Sequence, residues 1–101
     1  MFTLIDQATA TGAHVAVRCD MPYRAFHCYV DGTSSPNADV SVEVSNHKDG
    51  PWVEMHAFNT LNSSSAADVY NITAPFRYVR GNVTGVSGNG EKVTLTMETN
   101  G

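Results

Sequence analysis

Apolar and polar residues alternate with a period of two along most of this chain, as they do in β-strands with one buried face. The clearest run is DVSVEVS at residues 39–45, where the valines fall on one face and the serines and the glutamate on the other. A second run, WVEMHAF at residues 52–58, follows the turn signal Asp49-Gly50. Together the two runs predict a β-hairpin over residues 39–58.

The C-terminal third repeats this plan. The run FRYVRGNVT predicts a strand, GVSGNGE a turn rich in glycine and asparagine, and KVTLTMET a final strand whose Val93, Leu95 and Met97 point inward. A shorter strand is predicted over residues 68–72, and AHVAVRC and AFHCYV predict two more. The leading FTLI is either an eighth strand or part of an N-terminal arm over residues 1–12.

The pattern therefore predicts an all-β fold of seven or eight short strands, with no segment of helical period. Strands of this spacing with turns between them are typical of an antiparallel β-sandwich or a small barrel. The 101 residues are expected to form a single domain. Strand order stays open at this point, so a jelly-roll-like sandwich and a Greek key are alternatives.

The low content of charged residues limits which classes of partner this chain can bind. Only 16% of the residues are charged, six of them are Lys or Arg, and the net charge is −4. Nucleic-acid binding needs several phosphate contacts and is disfavoured. No apolar stretch approaches the roughly 20 residues of a membrane span, and the N-terminus lacks the features of a secretory signal. We expect synthesis in a cytosol, with no nucleic-acid and no membrane partner.

The residues most used in catalysis form no recognisable grouping. Cys19 and Cys28 are expected to be free and mostly buried, because cytosolic synthesis argues against a disulfide. The four histidines form no H-x-H or HExxH pattern and match no zinc-finger spacing. No serine lies in a G-x-S-x-G motif. We therefore expect no cofactor, no metal and no enzymatic activity.

The strand FRYVRGNVT sets arginines beside aromatic residues. If Val79 and Val83 face the core, Tyr78 and Arg80 face outward, where the tyrosine ring can stack on the guanidinium. A solvated strand face is one interpretation, and contact with a partner protein is another, because Tyr and Arg are enriched where interfaces bind most tightly. Gly81 inside this strand predicts a bulge or the close approach of another backbone.

The second strand of the first hairpin carries an aromatic face. Trp52, His56 and Phe58 alternate together, and if they are exposed they form an outer stripe of the kind that marks a binding surface. The alternative is that a loop covers them. Across the same hairpin, Glu43 and Glu54 can face each other, which is mildly unfavourable unless a cation or a partner intervenes.

Two segments together resemble the small all-β decoration, or cement, proteins of tailed-bacteriophage heads. They are DVSVEVSNHKDGPWVEM and YNITAPFRYVRGNVTGVSGNGEKVTLTME, within residues 38–99. The shared pattern is a strand ending in S-x-x-x-D-G-x-W, an APFRYVR-x-N-V-T strand, and a glycine turn into a KVTLTME strand. The RYVR strand is also similar to the last part of discoidin-like carbohydrate-binding sandwiches.

The phage resemblance implies a sandwich on the outside of a capsid that has no active site and bridges neighbouring capsomers. It implies the major capsid protein and further copies of the chain, as a homotrimer or homodimer, as partners. The protein would be made in the host cytoplasm and end on the virion surface. The alternative is a carbohydrate-binding module on a phage fibre or tail, with Trp52, Tyr78 and Arg80 as its sugar platform.

The candidate contact surface combines the outer aromatic and basic positions with the apolar N-terminal stretch, which can add a strand to a partner sheet. The predicted contact residues are Phe2, Leu4, Trp52, His56, Phe58, Tyr78 and Arg80.

Overall fold

The computed structural model describes residues 1–32, 34–61, 66–89 and 91–100. Within these residues the chain forms nine strands in two antiparallel sheets, so the predicted all-β sandwich is confirmed. The strands are β1 Phe2–Ala8, β2 Gly12–Ala13, β3 Val17–Arg18, β4 Tyr23–Asp31, β5 Ser34–Ser45, β6 Val53–Leu61, β7 Ala67–Thr73, β8 Tyr78–Asn89 and β9 Lys92–Asn100.

The sheets have the strand order of a jelly roll. One sheet runs β1-β9-β4-β7 and the other β2-β8-β5-β6, with β3 also paired to β8. The pairings nest along the chain: β1 with β9, β2 and β3 with β8, β4 with β7, and β5 with β6. A long hairpin rolled into two layers gives this nesting, and the β4–β9 and β5–β8 pairings close the roll. Of the two alternatives left open, the structure has the jelly roll.

The core lies between the sheets and is built from the residues that the alternation placed inward. Val40 and Val42 of β5 are fully buried. The same holds for Val93, Leu95 and Met97 of β9. Alternate residues of both sheets thus interdigitate in one apolar layer, as expected for a sandwich.

The N-terminal stretch is a strand of the molecule's own sheet. β1 pairs with β9, with Phe2 opposite Met97 and Ile5 opposite Leu95. Leu4 and Ile5 are buried in the core, and the half-buried Phe2 packs against it. Of the two alternatives for this stretch, the structure has the strand and not the arm. The prediction of Leu4 as a contact residue was wrong, because its side chain is buried. A small domain has little surface to bury, so the apolar residues of this strand are a substantial addition to the core.

The strand predicted from AHVAVRC is broken in two. Both β2 and β3 run along β8, with Ala13 opposite Asn82 and Val17 opposite Val79. Ala13 and Val17 are four residues apart, whereas their partners Asn82 and Val79 are three apart, so the chain bulges between β2 and β3. Val15 lies in this bulge and is 85% exposed. This interruption raises the strand count above the predicted seven or eight.

The turn predicted between the last two strands is shorter than expected. β8 continues to Asn89, which lies opposite Ser34 in a β5 that begins earlier than predicted. The glycines and asparagines of this stretch are accommodated in the strand because β5 extends to pair with them. Gly90 of the predicted turn lies outside the described residues.

A register shift in β6 divides the predicted aromatic stripe. His56 lies opposite Val42, but Glu54 lies opposite Glu43, so Met55 is an extra residue on the β6 side. A bulge of this kind bends the strand and exchanges which side chains face the core. Even-numbered residues therefore face outward before the bulge and face the core after it.

The bulge turns two of the three aromatic residues inward. Phe58 is fully buried, so its prediction as a contact residue was wrong. His56 is half-buried and stacks on Tyr70 of β7, with ring centroids 3.8 Å apart, and meets Phe58 edge-on at 4.6 Å. These rings close one side of the sandwich, where β6 and β7 meet. Trp52, before the bulge, stays outside.

Arg24 is fully buried and joins two loops at one end of the sandwich. Its Nε donates a hydrogen bond to the carbonyl oxygen of Met21 at 3.1 Å, and its Nη2 donates to that of Cys19 at 3.0 Å. Nη2 also donates to the carbonyl oxygen of Phe76. Hydrogen bonds from a charged donor are stronger than neutral ones, so one side chain fixes the β3–β4 loop against the β7–β8 loop.

Gly81 lets the two sheets approach each other. A Cβ on this residue would lie 2.5 Å from Cγ1 of Ile5 and 3.1 Å from Cδ2 of Leu95. The close approach predicted for this glycine is real, but it is made by an apolar side chain of β1 and not by another backbone.

We expect Gly81→Ala to lower the free energy of unfolding by about 1–3 kcal/mol, because the added methyl group overpacks the core against Ile5. Urea unfolding measures the effect. Gly85→Ala is the matched control in the same strand: a Cβ there meets the carboxylate end of Asp39 at 3.1 Å, and this flexible group can move. Equal losses for the two variants would contradict the packing account.

Both cysteines are free and buried, as predicted. Burial raises the pKa of the Cys28 thiol from 9.0 to about 12, and the Asp68 carboxylate adds to the shift. The reactive thiolate is then about a thousandfold scarcer at pH 8 than in an unperturbed thiol. We expect mass spectrometry to find Cys28 unlabelled by iodoacetamide in the folded protein and both cysteines labelled in urea. Rapid labelling of folded Cys28, or none in urea, would contradict this.

Candidate functional site

Alternation along β8 creates the outer face of the five-stranded sheet. Val79 and Val83 point into the core and are buried. Tyr78 and Arg80 therefore point outward, as predicted, and so does Asn82; all three are half-buried. This face carries charged and aromatic side chains that contact one another.

Four side chains on this face form what we call the Arg80 cluster: Trp52, Arg80, Glu43 and Asn82. Nε of Arg80 donates to Oε1 of Glu43 at 2.6 Å. Nδ2 of Asn82 donates to the other carboxylate oxygen at 3.3 Å. Cζ of Arg80 lies 4.4 Å from the centroid of the Trp52 ring. The guanidinium is thus held by an ion pair and by the indole at once.

The turn before β6 gives Trp52 its position. Gly50 has φ of +89°, and a Cβ there would lie 2.8 Å from Cδ1 and 3.0 Å from Nε1 of the indole. Any residue with a side chain would be strained in this backbone conformation and would displace the ring. The DGPW turn therefore places the indole against the backbone on one side, while the guanidinium lies over its face.

Two carboxylates face each other on this surface, and each has its own partner. Glu43 lies opposite Glu54 across the hairpin, as predicted. Arg80 supplies the cation that this arrangement requires, and Oγ of Ser41 donates to Oε1 of Glu54 at 2.5 Å. Glu43 is therefore paired with a cation, while Glu54 accepts a hydrogen bond from a neutral hydroxyl group.

Partial burial makes the Arg80–Glu43 pair stronger than an ordinary surface ion pair. The two side chains are only 25% and 16% exposed. Fully solvated pairs contribute about 0–1 kcal/mol, and stacking of a partly desolvated guanidinium on an aromatic face adds about 0.5–2 kcal/mol. The side chains are ordered before any partner arrives, which lowers the entropic cost of binding.

The structure brings together three of the seven predicted contact residues. Trp52, Tyr78 and Arg80 share the outer face of the five-stranded sheet. The stacking on Arg80 that was predicted for Tyr78 is made by Trp52 instead, because the turn before β6 holds the indole on this face. The other four residues, Phe2, Leu4, His56 and Phe58, lie in the core or against it.

Glu43 and Asn82 were missed as members of the site. Their role follows from the pairing of β5 with β8, which sets Glu43 opposite Arg80. The sequence held a signal for this contact, because an outward glutamate and an outward arginine each lie in a strongly alternating strand. The missing information was the neighbour of each strand in the sheet.

A second surface lies on the outside of the four-stranded sheet. It is a shallow groove of about 380 Å³, lined by His27, Tyr29, Val30, Asp31 and Ala67. The His27 and Tyr29 rings are 5.4 Å apart and tilted by 36°. Apolar ring surface beside a carboxylate suits a small ligand with both polar and apolar faces.

Among the described residues, no three His, Cys, Asp or Glu side chains are grouped to hold a metal ion. That same part of the chain has no helix with the length and hydropathy of a membrane span. Comparisons with protein-family models, curated proteins and solved structures each found no significant match. Proposals about function therefore depend on the geometry of this molecule.

A double-mutant cycle on Arg80→Ala and Glu43→Gln is expected to give a coupling energy of about 1–2 kcal/mol in urea unfolding, because the pair is shielded from water. The control cycle uses Arg18 and Asp20, which are 3.4 Å apart with side chains 57% and 69% exposed. We expect less than about 0.5 kcal/mol there. Equal couplings would contradict the cluster's special stability.

Proposed function

We propose that this protein is a structural adhesion protein of the capsid-decoration type. It binds the outside of a phage capsid through the outer face of the five-stranded sheet and bridges neighbouring capsomers. Its partners are the major capsid protein and further copies of itself, and its place is the virion surface.

The observation that carries this proposal is the fixed position of an indole and a guanidinium on a broad sheet face. Trp and Arg are the residue types that most often dominate the binding energy of protein interfaces. In this chain Arg80 and Trp52 already hold each other, and Glu43 holds the arginine. Such an anchor meets a partner with little further ordering.

The fold is compatible with the proposal without selecting it. Jelly rolls occur both in viral capsid domains and in lectins, and a fold by itself does not specify a function. The low charge of the chain favours adhesion to a protein, because protein interfaces are depleted of charge at their centre. Trp52 and Arg80 of the Arg80 cluster are of residue types that are enriched there.

The mechanism is stabilisation by mass action. A protein that binds the assembled shell, and not its separated subunits, lowers the free energy of the shell. Each copy adds a modest contact, and many copies on one shell sum to a large stabilisation. No chemical step is required of any residue.

Carbohydrate binding is the second candidate function, and the groove beside Tyr29 is the observation that favours it. Aromatic rings pack on the apolar faces of sugars, and the Asp31 carboxylate accepts hydrogen bonds from hydroxyl groups. The predicted platform of Trp52, Tyr78 and Arg80 suits a sugar less well, because the guanidinium already covers the indole face.

Co-sedimentation with expanded shells tests the decoration proposal. The shells are assembled from the major capsid protein encoded in the same genome. We expect saturable binding that Trp52→Ala or Arg80→Lys weakens about 30-fold, which corresponds to about 2 kcal/mol. Lys92→Ala, an exposed residue on the other sheet, is the control and should bind like the wild type.

The same samples separate the two candidate functions. Circular dichroism confirms that every variant is folded before its binding is compared. Absence of binding to shells, together with glycan-array binding that Tyr29→Ala abolishes, would replace decoration with carbohydrate recognition. A loss with Lys92→Ala equal to that with Trp52→Ala would contradict the proposed binding face.

A further inference from the structure

Strand β7 is an edge of its sheet, and it is more regular than the other edge strands. It pairs with β4 over seven consecutive residues, from Ala67 opposite Tyr29 to Thr73 opposite Tyr23, without a register shift. By contrast, the pairings of β1 and β6 each contain two register shifts, and the edge formed by β2 and β3 is broken by a bulge.

Regularity at an edge is informative because natural proteins usually protect their edge strands. They do so with bulges, charged residues or very short strands, since an open edge pairs with other chains. β1 carries the exposed Asp6 and β6 the exposed Glu54. The outward side chains of β7 are uncharged, and Val69 among them is 68% exposed. Of the described edges, β7 is the one that combines regular pairing with a neutral outer row.

The directions of the β7 backbone groups follow from two hydrogen bonds at its ends. The amide of Val30 donates to the carbonyl of Ala66 at 3.0 Å, and the amide of Ala74 donates to that of Pro22 at 2.8 Å. In an antiparallel ladder, residues that exchange hydrogen bonds alternate with residues that do not. The even-numbered residues of β7 therefore bond to β4, and the odd-numbered ones direct their amides and carbonyls away from the sheet.

One contact at this edge agrees with that assignment. The amide of Val69 donates to Oδ1 of the neighbouring Asp68 at 2.8 Å, so it is directed away from β4. The carboxylate covers one outward donor of the edge and must release it when another strand pairs there.

We propose that β7 is a strand-pairing edge at which a second copy of this chain docks antiparallel, forming a two-fold dimer. This proposal names the surface through which the chain associates with further copies of itself, and in that respect it rests on the proposed function. A two-fold axis beside Tyr70 sets Val69 of one copy opposite Asn71 of the other, and Ala67 opposite Thr73. The two four-stranded sheets then become one sheet of eight strands.

A second copy fits this edge better than a charged partner segment does. The two-fold register pairs every outward residue of β7 with another outward residue, so the edge is complementary to itself. The facing side chains of the outward row are uncharged, and Asp68 of one copy lies opposite Ile72 of the other, so two copies meet there without like charges directly opposite each other. Each copy carries a net charge of −4, so a neutral row is the favourable place for contact.

Analytical ultracentrifugation over a range of concentrations tests the dimer, in the absence of any capsid. We expect a monomer–dimer equilibrium that Val69→Lys weakens at least tenfold, because it places two like charges at the pairing edge. Asn71→Pro removes an outward amide without affecting the bonds to β4 and should have a similar effect. Thr3→Lys, which introduces a lysine at an exposed position on the opposite edge of the same sheet, is the control.

Disulfide trapping tests the register itself. Residues that exchange hydrogen bonds across an antiparallel pair have Cα atoms about 5.5 Å apart, which is within the range of a disulfide. We expect the double variant Val69→Cys with Asn71→Cys to form a covalent dimer with oxidised glutathione. Each single variant should form far less covalent dimer, because a cysteine at position 69 does not lie opposite position 69 of the other molecule, and the same holds for position 71.

Several outcomes would overturn the proposal. They are a monomer at all concentrations, a trimer, a dimer that Val69→Lys leaves unchanged, and single cysteine variants that cross-link as well as the double variant. Since no shell is present, failure here is distinguishable from failure of capsid binding, which the sedimentation experiment measures separately.

Discussion

The pairing of β5 with β8 is the contact on which both the core and the Arg80 cluster depend. It sets Val44 opposite Val79 on the inner face and Glu43 opposite Arg80 on the outer face. Because side chains alternate with a period of two, a slip of one residue would bury the charges and expose the valines. The apolar core therefore fixes the register, and the register in turn brings the acid to the arginine. The arrangement of the Arg80 cluster on the outside is thus specified by packing on the inside.

Much of the fold is predictable from alternation, and the exceptions have physical causes. The inward valines of β5 and the last strand follow directly from the pattern. The bulge at Met55 does not, because a single extra residue leaves the composition of a strand unchanged, and the true positions of His56 and Phe58 were missed with it. Arg24 shows the opposite case. It alternates with Phe26 and Cys28, so its inward position was readable, but its carbonyl partners lie in loops distant in sequence.

The outer surfaces of the two sheets differ in their charge and in the side chains they expose, and each suits a different kind of contact. The five-stranded sheet carries charges that are compensated within the cluster and an indole that is held in place, which suits a tight contact with another protein. The four-stranded sheet ends in the regular edge strand β7, whose outward side chains are uncharged. A molecule that self-associates through one edge and adheres through the opposite face leaves both surfaces usable at once.

The proposed binding face is tested most directly by determining how the protein is oriented on a shell. A cryo-electron microscopy map of shells incubated with the protein, at a resolution that separates the two sheets, would establish it. We expect the five-stranded sheet to face the capsid, with Trp52 and Arg80 inside the contact. A map in which this face points to solvent, or in which the shells carry no added density, would contradict it.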